Sequence, residues 1–332
     1  MENKKIFEKN ARVALIGDSI THSGLYVEYV QDYYMTYLPE RRVTVYNLGI
    51  GGDAAAHALG RIDDMLSVDP TEAVVTFCGN DLGLSYYGPT PTEEDITRRN
   101  DCRRRHLEGM LRLVDQLIAR GIPVTLASPV GRDEHSAEAE GFFSVGATDA
   151  LLSMYAKDVA ALGDKIKNTI DYLTPIQALQ AGLTAHGGPS LFRTDRTHLS
   201  DLGQAIMARI LLRSQDLPVA IPTAADILCG WREHPLPHSL MLRRAAGLRW
   251  RDLTWVYPHQ KDRTPNMELE ERIAFWTREL QRDDLPPYFV KMYTNYVNNA
   301  RQEPEYFAEY LALTKALYET SGADAGEDIL RI

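Results

Sequence analysis

Residues 13–21 read VALIGDSIT. Four apolar residues, Val13–Ile16, run without a polar interruption into a glycine, a carboxylate and a serine. A short continuous apolar run suits a strand covered on both faces of a parallel sheet. Gly17–Thr21 then stands where the chain leaves the carboxyl end of that strand. Four more runs share the pattern: Val43–Asn47, Ala73–Phe77, Pro123–Ala127 and Thr169–Tyr172. Segments of helical period separate them. Leu25, Tyr29, Tyr33 and Tyr37 recur at four-residue steps, and Leu107, Leu111, Val114 and Ile118 form a stripe that ends at Gly121. Residues 148–162 and 201–213 repeat the pattern, the latter with Leu202, Ile206 and Ile210. Strand alternating with helix predicts an α/β fold, a three-layer α/β/α sandwich on a flavodoxin-like parallel sheet.

In an open parallel sheet, ligands bind at the carboxyl ends of the strands. The first run is followed by GDSIT (17–21) and the second by NLGIGGD (47–53). CGND (78–81) follows the third, and DRTH (195–198) stands just before the helix at 201–213. The fold brings these distant segments to one rim, and together they hold the parts of an acyl-transfer site. A serine hydroxyl is a poor nucleophile until a base takes its proton. His198 is the candidate base for Ser19, with Asp195 fixing its tautomer. Gly52 offers a backbone N–H free of side-chain obstruction and Asn80 an amide N–H, both suited to an oxyanion. Asp18 reads as a turn former. His22 is too near Ser19 in sequence to be the base, although it is placed to line a pocket. His57, His106 and His186 read as surface or core residues. The glycines at 49–52 lack the spacing of a phosphate loop. No HExxH or similar ligand pair occurs, so neither a metal nor another cofactor is expected.

Taken together, GDSIT, NLGIGGD, CGND and DRTH resemble the four motif blocks of the SGNH (GDSL) hydrolases, in the family's order. The resemblance covers about residues 11–213. It implies Ser19 as nucleophile, Asp195 and His198 as its triad partners, and an oxyanion hole from the N–H groups of Ser19 and Gly52 with the amide of Asn80. The phrasing around the motifs, including ASPVGRDE (127–134), looks most like the carbohydrate-acetylesterase members. The implied reaction is hydrolysis of a short acyl ester, acetyl first, on a sugar or oligosaccharide. A lipid esterase or thioesterase is the alternative, and a non-catalytic binding module is a third reading that the intact Ser19, Asp195 and His198 oppose. Residues 82–100 and 129–146 are expected to be loops shaping the substrate site. Tyr86, Tyr87, Phe142 and Phe143 in them either contact substrate or anchor the loops.

Composition narrows the partners. Of 332 residues, 44% are hydrophobic, enough for a large core. The balance of 36 basic against 46 acidic residues, net −10, argues against a nucleic acid or an anionic membrane as partner. Three scattered cysteines, Cys78, Cys102 and Cys229, suggest neither a disulfide framework nor a zinc knuckle. Charged Glu8, Lys9 and Arg12 interrupt any export signal, and no stretch approaches the ~20 apolar residues of a membrane span. The expectation is a cytoplasmic protein, unless a leader has been removed. Composition shifts near residue 215, where DLPVAIPTAA (216–225) reads as a linker. The expected division is a catalytic domain at 1–215 and a helical extension at 216–332. The extension carries Trp231, Trp250, Trp255 and Trp276, with helices near 267–283, 288–300 and 304–320. Such an indole load calls for a packing partner, either the catalytic domain or a second copy in a homodimer.

Overall fold

The computed structural model describes residues 6–77, 79–87, 90–134, 146–254 and 269–324. Cys78, Phe142, Phe143 and Trp255 lie outside these. Contacts divide the chain into two compact units, Met1–Pro237 and His238–Ile332.

In the first unit the five apolar runs form strands β1 (Arg12–Gly17), β2 (Thr44–Gly49), β3 (Glu72–Thr76), β4 (Val124–Ala127) and β5 (Asn168–Ile170). All neighbours pair in parallel, in the order β2-β1-β3-β4-β5. That is the flavodoxin-like order, and it reverses between β1 and β3. Leu15 pairs with Asn47 on one side and Val74 on the other, so the switch point lies at the end of β1, where Gly17–Ser19 emerge. The connecting helices are α1 (Ser19–His22), α2 (Leu25–Tyr37), α3 (Ala55–Ala58), α4 (Ile62–Leu66), α5 (Glu93–Ile118), α6 (Ala147–Leu162), α7 (Leu173–Thr184), α8 (Asp201–Ser214) and α9 (Ala224–Leu228).

Burial differs from the expected pattern on α2. Tyr26, Val27, Val30 and Tyr34 face the core, whereas Tyr29 and Tyr33 flank it and Tyr37 is 57% exposed. A phenol places its ring on apolar surface and its hydroxyl in water, so a tyrosine ladder fits the margin of a buried face. The expected loop at 82–100 is also corrected: α5 begins at Glu93. Thr92 accepts from the Asp95 N–H at 3.1 Å while the Asp95 carboxylate takes the Thr92 N–H at 2.9 Å. This reciprocal cap satisfies two N–H groups that a helix start otherwise leaves open.

The compact unit runs past the expected boundary at 215. Leu217, Val219, Ile221, Ala224 and Trp231 pack on the main core, and Ile227 is buried within it. Arg209 on α8 donates to both carboxylate oxygens of Glu233 and to the Ala220 carbonyl. His234 bridges Glu233 at 2.9 Å and Asp32 of α2 at 2.7 Å. The segment after α8 is therefore a strap fastened to α2 and α8.

The second unit holds α10 (His238–Thr254), α11 (Leu269–Glu279) and α12 (Pro287–Asp324). Trp250 packs at a tilt against Phe307 and Tyr310, and Trp276 against Tyr293 and Tyr296. These indoles find partners inside their own unit. Two helices were expected at 288–300 and 304–320, yet α12 runs through Pro304. Proline removes one N–H and crowds the carbonyl four residues earlier. The buried Val297, Ala300, Tyr310 and Leu317 on either side hold the axis across that defect. Among the described residues no helix is long and apolar enough to cross a membrane.

Candidate active site

Ser19 is the first residue of α1, directly beyond β1. Asp18 caps this helix, its carboxylate accepting the Ile20 N–H at 3.0 Å, and Asp18 O takes the His22 N–H. The turn is so tight that a Cβ on Gly49 would meet the backbone of Thr21 and His22, at 2.7 and 2.3 Å. Glycine at the end of β2 therefore lets α1 lie against the sheet. Ser19 stays half-buried, its hydroxyl directed out of the switch point.

His198 arrives on a loop pinned by buried Leu191, Phe192 and Leu199, with Phe192 bridged to Leu199. Asp195 within this loop accepts the N–H groups of Thr197 and His198 through one oxygen, both at 2.9 Å. Its other oxygen lies 2.7 Å from His198 Nδ1. A carboxylate at Nδ1 holds the proton there and leaves Nε2 to accept. His198 Nε2 lies 2.8 Å from Ser19 Oγ. Partial burial raises the Asp195 carboxyl, but the His198 and Thr197 N–H groups and the His198 ring outweigh it and hold it below its ordinary value. The structure thus brings Ser19, His198 and Asp195 into one hydrogen-bonded chain.

The donor side is built from two turns. Gly52, at φ +71°, lies in the turn that the Asp53 N–H closes on the Ile50 carbonyl. The Asn80 amide donates to the Asp53 carbonyl at 2.7 Å, which joins the third motif block to the second. An amide nitrogen carries two protons, so Asn80 keeps one for a ligand. The N–H groups of Ser19 and Gly52 bond to no described residue. Three unspent donors thus belong to the three motif segments that offered them in the sequence.

Beneath these turns lies a network that the sequence did not signal. His106 of α5 is buried, with Nε2 2.7 Å from Asp158 of α6 and Nδ1 3.4 Å from Asp81. Asp81 accepts the Ala55 N–H through both oxygens, at 3.0 and 3.2 Å. Asp53 is equally buried and held by Arg61 at 2.7 Å. Each donor turn is thus backed by a buried carboxylate with a cationic or polar partner. His106 and Asp81 stand 25 positions apart, and nothing in either segment's pattern joins them.

A cavity with about 50 Å³ of free volume opens beside Ser19. Ile20, Phe77, Leu84, Val130 and Leu151 give it an apolar wall, and Asp18, Asn80, Arg132 and Thr197 add polar groups. Burial, reinforced by Asp81 and Asp53, pushes the Asp18 carboxyl up to about 7 against the opposing Ile20 N–H and His198. His22 is absent from the described lining. Tyr87 is buried against Leu82, Leu151 and Met154, with the Arg99 guanidinium 4.1 Å over its ring, so it anchors its segment.

The model of the GDSL-like lipase/acylhydrolase family matches residues 15–206, more than half of the chain. No curated protein sequence matches. Among solved structures, a gut microbial diltiazem-metabolizing enzyme superposes with a TM-score of 0.75 at 16% identity, covering 96% of this chain and 97% of its own. An acetyl xylan esterase aligns at 22% identity over 61% of this chain and 98% of its own, with a TM-score of 0.48. A variant of an acetyl xylan esterase from Geobacillus stearothermophilus aligns at 20% identity over 65% and 99%, with a TM-score of 0.47. The first of these shares the fold across nearly the whole chain. With its four motif blocks on the carboxyl edge of a 2-1-3-4-5 sheet, the chain belongs to the GDSL-like lipase/acylhydrolase family, within the SGNH hydrolases, and is a carboxylic ester hydrolase.

Proposed function

We propose that this esterase works through an acyl-serine intermediate and releases a short acyl group, acetyl first, from a carbohydrate. The observation that carries the mechanism is the unbroken chain from Ser19 Oγ through the His198 ring to Asp195, with links of 2.8 and 2.7 Å. His198 Nε2 takes the Ser19 proton as Oγ attacks the ester carbonyl, and Asp195 stabilises the imidazolium that forms. The N–H groups of Ser19 and Gly52 and the second amide proton of Asn80 receive the oxyanion. Collapse expels the alcohol, protonated by His198. Water activated by the same ring then releases the acid.

The short acyl chain is supported by the cavity, whose free volume of about 50 Å³ is on the order of a few water molecules. The carbohydrate half rests on the motif phrasing. In this reading the unit Met1–Pro237 carries all the catalytic groups, and the helical region from His238 onward has a packing role, across a homodimer. The deciding experiment is labelling with a fluorophosphonate, followed by peptide mapping and an acyl-length series on 4-nitrophenyl esters. The expected result is modification at Ser19, lost in Ser19→Ala, with rates falling steeply beyond short acyl chains. An unlabelled Ser19 in the folded protein, or a preference for long chains, overturns the proposal.

A further inference from the structure

The SPVGRDE segment beyond β4 sets a charged side chain in the active-site cavity that neither the triad nor the oxyanion donors use. Arg132 lines the cavity and is only 7% exposed. Its main chain is fixed from three sides. The Arg132 N–H donates to Thr148 Oγ1 at 3.2 Å, the neighbouring Val130 carbonyl accepts from Gln177, and the Asp133 N–H donates to the Arg196 carbonyl at 3.1 Å. Gly131, at φ +78°, adopts the left-handed backbone that a side chain would resist, and the Gln177 amide lies over it, 2.5 Å from where a Cβ would stand. The side chain is thus delivered to the cavity by a rigid turn.

The guanidinium itself makes no hydrogen bond or ion pair with any described residue. Two carboxylates lie near enough to act on it, those of Asp195 and Glu134, while Arg196 opposes them. Both carboxylates are engaged elsewhere. Asp195 holds two N–H groups and the His198 ring, and Glu134 takes the Gly146 and Thr148 N–H groups that open α6. A guanidinium with five N–H donors, on a side chain largely buried in the cavity wall and left without an acceptor among these neighbours, keeps those donors for what enters the cavity. A hydroxyl from a ligand would satisfy a donor but not the charge. A carboxylate satisfies both, and its two oxygens match the planar fork. The chain as a whole carries −10, so the arginine acts by contact and not by long-range attraction.

We infer that Arg132 selects the substrate by receiving a carboxylate on the alcohol part of the ester, so that the enzyme acts on acyl esters of acidic sugars or similar acidic alcohols. This rests on the reading of Ser19 as nucleophile and adds the substrate class to it.

The test compares two substrates that differ by one charge: a mono-O-acetylated methyl glucuronoside and its 6-methyl ester, followed by acetate release. Wild-type kcat/KM for the acid should exceed that for the methyl ester at least about tenfold, as one charge-assisted bidentate contact gives, and the difference should lie mainly in KM. Arg132→Gln should bring the ratio to about one, and Arg132→Lys should retain part of it. A wild-type ratio at or below one overturns the inference, as does an Arg132→Gln variant that keeps the preference. The wild-type comparison decides even where a variant fails to fold. Hydrolysis of the methyl ester that disappears in Ser19→Ala, without preference for the acid, refutes the role of Arg132 and leaves the nucleophile standing. Hydrolysis that persists in Ser19→Ala refutes the nucleophile itself.

Discussion

Asp18→Asn should make the protein more stable at alkaline pH and change it little in acid. Asp18 is 6% exposed and sits one residue before Ser19, so ionising it places a charge in a poorly hydrated pocket. Burial, then Asp81 and Asp53, raises its carboxyl from 3.8 to about 7. That displacement is about three pK units at roughly 1.4 kcal/mol each, or about 4 kcal/mol. Below the unfolded value both states hold the proton and there is no cost. Between the two values the unfolded chain releases it while the folded protein keeps it, so stability falls as pH rises. Above about 7 both states are ionised and the loss is complete. Asparagine keeps the Oδ1 that accepts the Ile20 N–H at 3.0 Å and removes the titration. Urea unfolding of both proteins at pH 4.5, 6 and 8 should show the variant's advantage growing toward about 4 kcal/mol across that window. A gap that stays constant or narrows with rising pH would refute a carboxyl whose burial outweighs its hydrogen bond at this position.

Ser19→Ala and His198→Ala should each lower kcat by several orders of magnitude, and the double variant should be no worse than the poorer single, because the two groups act as one unit; losses that multiply count against the triad. Asn80→Ala should lower kcat by on the order of 10²–10³ with a smaller change in KM, as expected for a donor used mainly in the transition state. A rise in KM alone in steady-state kinetics removes Asn80 from that role. A chain ended after Pro237 should fold and melt cooperatively by circular dichroism. One ended after Gln215 loses the buried Ile227, at about 1.5–3 kcal/mol, together with the partly buried Leu217, Val219, Ile221 and Trp231 that cover the core, each at less than that, and should not fold; equal melting of the two chains sinks this account of the strap.

The sheet and its rim were legible because the information is local. A strand buried on both faces must be a short apolar run, and the residues after it must sit on the carboxyl edge, so the first three blocks could be assigned to one rim before any contact was known, while DRTH, which follows a helix, joined them through its place before the helix at 201–213 and its resemblance to the family's fourth block. The helix at Glu93 was legible in principle, since Thr92 and Asp95 stand at capping-box spacing, but the charges beyond it gave the segment the look of a solvated loop. The strap at 216–237 was hidden for a different reason. Its prolines at 218 and 222 mark the absence of helix, and nothing in composition distinguishes a free linker from an extended segment fastened by Arg209, Glu233 and His234. Pro304 misled in the opposite direction, because packing on both sides outweighed a local penalty of about 3 kcal/mol. The supports of the site were the least visible. The bonds from His106 to Asp158, from Asp81 to Ala55 and from Arg61 to Asp53 join residues whose sequence separations have no period. A motif records which groups meet the substrate. The groups that hold them in place answer only to tertiary packing, and different residues can meet that need equally well. Arg132 shows the same division: its letter stands in the sequence beside the fourth strand, but its lack of a partner among the described residues emerges only when each neighbouring carboxylate has been traced to the donor it serves.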